Sequence, residues 1–175
     1  MAEIFTVGHS DRTIGEFISL LTQQGIQHVL DVRKLAGSSK YPHFNADALA
    51  QSLNQSHIGY SHAPKLSGRR PVSKDVDFEV NAWWTNRSFH NYADYALSPD
   101  FSAALDQLIE LSTQERTAIM CAEAVWWRCH RRIIADHLIA RGQKVLHLID
   151  AHEPKPAQLS DGAQLDEQVT YPRKP

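Results

Sequence analysis

What this chain can fold into is constrained most by an alternation. Short β-rich runs take turns with segments whose apolar residues repeat at helical spacing, from Glu3 to Ile149. Glu3 to Val7 is the first run and stops at Gly8. After Thr13, the residues Ile14, Phe17, Ile18 and Leu21 fall on one face of a helix. Thr13 and Glu16 have capping-box spacing, and Gly25 supplies a stop. His28 to Val32 reads as a buried strand, Leu49 and Leu53 mark a helix after Asn45, and Ile58 to Ser61 is a weaker strand. A short helix runs through Phe89, Tyr92 and Ala96. Ser98-Pro99, an N-cap serine before a first-turn proline, opens a helix that shows Phe101, Leu105, Leu108 and Leu111 to the core. Thr117 to Cys121 is a fourth strand, Trp126 to Arg141 a helix closed by Gly142, and Lys144 to Ile149 a fifth strand. The pattern predicts an α/β fold: one domain over 1–150, with a mainly parallel five-stranded sheet and helices on both faces. Residues 62–85 have no period and predict a long loop, and 151–175 predict an irregular C-terminal tail.

The chain's 175 residues are enough for one buried core. No stretch approaches the roughly 18 apolar residues of a membrane span. The start, Met1-Ala2-Glu3, has neither the charged nor the apolar region of a secretory signal. Two cysteines, Cys121 and Cys129, cannot make a disulfide framework and predict free thiols in a cytoplasmic protein. A net charge of -2 excludes a wholly basic nucleic-acid binder, but it hides a segregation. Residues 31–74 carry seven basic and two acidic side chains, whereas 75–115 carry one basic and eight acidic. Trp83, Trp84, Phe89 and Tyr92 lie beside the basic stretch. Aromatics next to cations can stack bases while the cations hold phosphates, or they can simply bury the long loop against the domain.

Open α/β sheets bind ligands at the carboxyl ends of their strands. Here those ends deliver Gly8-His9-Ser10, Asp31-Val32-Arg33, Tyr60-Ser61-His62 and Cys121-Ala122-Glu123 to one rim. Their convergence predicts a site with His9 and Glu123 as proton-handling groups and Asp31 capping the next turn or orienting His9. Ser10, Arg33, Tyr60 and His62 are expected to contact a ligand, with Arg33 suited to an anion. Cys121 is either a nucleophile or a buried strand-end residue.

Cys121 to Arg132 is the most informative segment. A cysteine at a strand end before a helix start suggests an oxyanion cradle. Yet six residues separate Cys121 from Arg128, one more than thiol phosphatases use, and Glu123 repels a dianion. Arg128, Arg131 and Arg132 crowd the start of the helix, where each cation opposes the helix dipole by about 0.3–1 kcal/mol. Asp136 can pair with Arg132 four positions away, leaving Arg128 and Arg131 as the preferred phosphate ligands, with His130 beside them. Cys121, Cys129 and His130 lack the paired spacing of a structural zinc site, so no metal and no cofactor is expected.

Taken together, Thr6-Val7-Gly8-His9-Ser10, Asp31-Val32-Arg33, Ser38 to Phe44, Tyr60-Ser61-His62, Phe89 to Ala93, Met120-Cys121-Ala122-Glu123 and Cys129-His130-Arg131 resemble the bacterial "domain of unknown function 488" family over about residues 4–149. Leu66-Ser67-Gly68 stands where the family usually has Leu-Gly-Gly, Leu35-Ala36 where a proline is common, and Trp126-Trp127 is atypical. The resemblance implies a compact intracellular α/β protein.

Two functions compete. One is an enzyme, a hydrolase or transferase, on a phosphate-bearing substrate such as a nucleotide or nucleic acid, bound at the strand ends. The other is a non-enzymatic nucleic-acid or nucleotide-binding module built from the basic 31–74 stretch and Trp83/Trp84. Both expect an anionic small-molecule or nucleic-acid partner and no membrane.

Overall fold

The computed structural model describes residues 3–37 and 40–173. Ser38 and Ser39, which open one of the motifs above, lie outside the described residues, as do Met1, Ala2, Lys174 and Pro175. The elements follow in order as β1 (Glu3–Gly8), α1 (Ile14–Gln23), β2 (His28–Asp31), α2 (Ala46–Gln55), β3 (Gly59–His62), α3 (Arg87–Tyr95), α4 (Pro99–Gln114), β4 (Thr117–Cys121), α5 (Arg131–Ala140) and β5 (Lys144–Leu148). Three two-residue strands follow: β6 (Lys155–Pro156), β7 (Gln164–Leu165) and β8 (Val169–Thr170).

Local chemistry explains most boundaries. The capping box at Thr13 forms in full: Thr13 Oγ1 accepts from Glu16 N at 3.0 Å, and Glu16 accepts from Thr13 N at 2.9 Å. Ser98 caps α4 with Pro99 at its first position. The helix expected over 126–141 is shorter. Trp126–Arg128 forms a single 3-10 turn, Cys129 is extended (φ -133°, ψ 152°), and α5 starts only at Arg131. In α4, Ser112 is buried and Leu111 only half-buried.

The main sheet has six strands in the order β3-β2-β4-β1-β5-β6. The first five are parallel; the sixth comes from the tail and pairs antiparallel with β5. Alternate strand residues supply two cores. Phe5, Val7, Val29, Ala118 and Met120 face α1 and α2, where Phe17, Leu21, Leu49 and Leu53 pack. Ile4, Leu30, Ile119 and Cys121 face the other way, with Tyr92, Leu105, Ile134 and Leu138 of α3, α4 and α5. Each buried Val, Leu, Ile, Phe or Met side chain among them contributes about 1.5–3 kcal/mol.

The long loop and the tail brace each other. Leu66 is fully buried within the 62–85 segment, and Asn81 donates to Asp94 and accepts from Tyr171 N. Tyr171 is buried in the core, donates its hydroxyl to Asp136 at 2.7 Å and accepts from Trp83 N. The tail is thus a strap that completes the core on the α5 side.

The connections fix where a ligand can enter. From β1 the chain leaves through α1 on one face; from β4 it leaves through α5 on the other. β1 and β4 are adjacent, so the crevice beyond their carboxyl ends is the topological switch point.

Candidate functional site

A cleft of about 950 Å³ opens at that crevice, walled by the segments after β1, β2 and β4 and by Gly68 and Arg69 of the long loop. Pairing between β1 and β4 continues past the strands: His9 N donates to Cys121 O and Ser10 N to Ala122 O. This close approach needs a glycine, because a Cβ on Gly8 would lie 1.8 Å from the Glu123 carbonyl. Ser10 and Arg69 hold φ of 50° and 58°, a conformation that is uncommon without glycine, and both line the cleft.

On the α1/α2 side, four of the predicted residues form a closed network. Arg33 (6% exposed) pairs with Asp31 (0% exposed), its Nη2 reaching Oδ2 at 2.7 Å and its Nε bridging both oxygens. Tyr60 donates its hydroxyl to the same carboxylate, and His62 holds the Arg33 carbonyl at 2.7 Å. Burial and then the Asp31 contact push the Tyr60 phenol up. Asp31, Tyr60 and His62 do not line the cleft. They support Arg33 from behind the cleft wall. Arg33 does line it, but its fork is committed to Asp31 and to the Phe44 carbonyl.

His9 is buried on the cleft floor and stacks on Phe44 at 4.3 Å. Its Nδ1 faces the Ser10 carbonyl at 2.9 Å, which assigns the proton there and leaves Nε2 to accept from Arg33 Nη1 at 3.3 Å. Burial, aided by the Arg33 charge, holds its imidazole below the ordinary value. Both ring nitrogens are thus engaged, Nε2 by the long contact with Arg33. Asp31 orients Arg33 and does not touch His9.

The α5 side holds a different arrangement. Arg131 is 1% exposed. Its Nε donates to Cys121 Sγ at 3.0 Å, Nη1 to Thr6 Oγ1 at 3.1 Å, and Nη2 to the Glu123 carbonyl. None of these partners is a carboxylate. Arg131 lies under the cleft, not in it, so it is not the free phosphate ligand its position in sequence suggests. Cys121 Sγ lies 2.9 Å from Cys129 Sγ, and Cys129 also accepts from the Arg131 backbone N–H at 3.4 Å, at the first residue of α5. His130 Nδ1 faces Cys129 Sγ at 3.5 Å while Nε2 is fixed on the Val32 carbonyl. Gly68 permits that placement, because a Cβ there would touch the His130 ring at 3.0 Å.

A buried guanidinium without a counter-charge is costly. Among the described residues, the sulfurs are the groups in its shell that can supply one. Burial alone would raise the Cys129 thiol, but the Cys121 hydrogen bond and the His130 and Arg131 charges outweigh it and hold it well below its ordinary value. Burial and the contact with Cys129 push Cys121 well above. The two thiols are thus pushed in opposite directions while in contact, Cys129 down and Cys121 up. Thr6 relays the field further. Its hydroxyl accepts from Arg131 and donates to His147 Nδ1 at 2.6 Å, and burial with the Arg131 charge holds His147 down to about 3.

The rim is cationic. Arg33, Lys34, Lys40, Arg69 and Arg128 line the cleft, against Asp11 and Glu123. Arg69 and Arg128 make no side-chain hydrogen bond or ion pair among the described residues. The carboxylate of Glu123, exposed at the mouth, accepts a long bond from Val125 N. Trp127 is 45% exposed on the same wall. Arg70, by contrast, is spent on Pro64 and Ser67 and stacks on Tyr95. Trp84 is buried, and Trp83 packs under Gly162 in the strap, so neither can stack a ligand. Arg132 lies over Trp84 and donates to Ser160, while Asp136 serves Ser160 N and Tyr171, so the expected i,i+4 pair is replaced by strap contacts. No three His, Cys, Asp or Glu side chains converge as metal ligands among the described residues.

The site thus gathers His9, Ser10, Arg33, Cys121, Glu123, Arg128 and His130 at one cleft. It adds Cys129 and Trp127, and Lys34 and Arg69 of the basic 31–74 stretch, none of which was expected at the strand-end site. The signal for Cys129 was its place just ahead of a helix start and beside a histidine, both of which favour a thiolate. A family model described as "Domain of unknown function DUF488" matches residues 13–138, so the chain belongs to that family. No curated protein and no solved structure matches it.

Proposed function

We propose that this member of the DUF488 family is an enzyme, a hydrolase or transferase, that binds a phosphate-bearing substrate in the switch-point cleft and attacks it with the Cys129 thiolate. The observation that carries this reading is Arg131, a buried cation whose available counter-charge, among the described residues, is a sulfur on the cleft wall. Arg128 and Arg69 receive the anion, and Lys34, which donates to the Arg69 carbonyl, adds charge beside them. Cys121 is the proton-holding partner of the nucleophile. Glu123, at the mouth, takes the proton of an incoming water or hydroxyl, or returns one to the leaving group. Trp127 beside Arg128 offers a stacking face, which favours a nucleotide or nucleic-acid substrate over inorganic phosphate. The two reduced cysteines suit a reducing compartment such as the cytoplasm. A binding module resting on Trp83/Trp84 has less support, since the strap covers that pair.

Competition tests the reading. Iodoacetamide labelling of Cys129 at pH 6 should slow when a nucleoside triphosphate or a short single-stranded oligonucleotide fills the cleft. Protection should weaken steeply with salt and vanish in Arg128→Ala/Arg69→Ala. Labelling that no anion slows would overturn the proposal.

A further inference from the structure

We infer that Cys129 and Cys121 form a reversible redox pair, in which a hydroperoxide converts the reduced site to an intramolecular disulfide and so switches the nucleophile off. The inference rests on the proposed role of Cys129 for its consequence, but on separate observations for its chemistry. The sulfurs lie 2.9 Å apart across a seven-residue connection, with no other side chain between them. Cys129 lines the cleft and is thus reachable by a small oxidant, although only 6% exposed. Cys121, 4% exposed, lines the same wall and is held by Arg131 Nε at 3.0 Å.

The steps balance. The Cys129 thiolate attacks the distal oxygen of the hydroperoxide. The O–O bond breaks, hydroxyl passes to sulfur as a sulfenic acid, and the alkoxide takes a proton from solvent to leave as the alcohol. Cys129 has then lost its negative charge, and Arg131 is left without a counter-ion. The Cys121 thiolate becomes the favoured replacement, because the same guanidinium already touches its sulfur. Cys121 gives up its proton and attacks the Cys129 sulfur. The S–S bond forms, the S–O bond breaks, and hydroxide leaves with that proton as water. Two electrons pass from the two sulfurs to one peroxide. Arg131 thus selects each thiolate in turn.

The same charge argument sets the direction of return. In the disulfide both sulfurs are neutral and Arg131 stays buried with no anion. The reduced form is therefore the favoured one, and the disulfide is opened readily by a monothiol such as glutathione.

The experiment treats the reduced full-length chain with limiting hydrogen peroxide and reads intact mass, free thiols and a non-reducing peptide map. Expected are the loss of both titratable thiols, a mass lower by two hydrogens, a Cys121–Cys129 linked peptide, and full recovery with glutathione. Cys121→Ser should stop at a sulfenic acid on Cys129, trapped by dimedone. Accumulation of sulfinic acid in the wild-type chain, or disulfides only between molecules, would overturn the inference. Should Cys121→Ser fold poorly, the wild-type peptide map alone decides. Anion protection of Cys129, measured on the same reduced sample, separates the two ideas. A disulfide without protection keeps the redox pair and removes the proposed substrate class; protection without a disulfide does the reverse.

Discussion

Arg33 and Arg131 are both buried guanidinium groups beneath one cleft, and they do opposite things. Arg33 is 6% exposed, and a carboxylate, a phenol and a histidine close its surroundings. Its charge is balanced before any ligand arrives. Arg131 is 1% exposed and has two sulfurs, a threonine and a carbonyl. Its charge is balanced only if a thiol ionises. The first network holds the cleft in shape, and the second, in the proposed reading, supplies its nucleophile. The difference teaches that burial and proximity to a cleft do not make an arginine a ligand; the nature of its counter-ion decides what it does.

The largest expected effect lies on the balanced side. Asp31→Ala leaves Arg33 buried and unpaired, and should lower unfolding free energy by about 3–5 kcal/mol in urea titration. A loss below about 1 kcal/mol would break the contrast, because Arg33 would then be no more dependent on its carboxylate than a surface cation.

Acid comes next and falls on the Arg131 side. Burial holds His147 at about 3 and His137 at about 4, the former aided by the charge of Arg131 and the latter by that of Arg141. Both are neutral in the folded chain and protonate near pH 6.5 in the unfolded one. Their contribution to stability is therefore complete above about pH 6.5 and is lost as pH falls toward 4 and 3. Each imidazole adds up to about 1.4 kcal/mol per pH unit to the fall. Denaturation midpoints between pH 7 and 4.5 should drop accordingly, and His137→Gln should remove part of the slope. A flat profile over that range would contradict the account.

The smallest effect on the fold is expected at the rim. Trp127→Ala should weaken nucleotide or oligonucleotide binding by about 1–3 kcal/mol and change stability by no more than about 0.5 kcal/mol. Equal losses in binding and stability would recast Trp127 as a packing residue.

Much of this was legible in the sequence. Helix starts at Thr13 and Ser98 and the five parallel strands follow from capping chemistry and apolar period. The rim was legible in part, since the polar segments after β1, β2 and β4 meet there, whereas the end of β3 stays outside the cleft lining. What escaped has a common cause: it depends on partners distant in the chain. The strap over 155–171 has no core pattern of its own, yet Val169 and Tyr171 are buried because Asp136, Asn81 and Trp83 await them. Trp83 and Trp84 are stacking residues by composition and core residues by location. The Asp31–Arg33 clamp did have a local signal, since residues two apart on an extended chain share a side. Arg131 offered none, because nothing in its neighbourhood along the chain says that its carboxylate is missing.

The most direct measurement is the pH dependence of iodoacetamide labelling, read at each cysteine by mass spectrometry. The account predicts that Cys129 is alkylated first, with a midpoint well below the roughly 8.5 of a free cysteine, and that Cys121 stays unlabelled through neutral pH. A Cys129 midpoint at or above that of a free cysteine, or prior labelling of Cys121, would contradict it, because Arg131 would then be balanced by something other than the Cys129 thiolate.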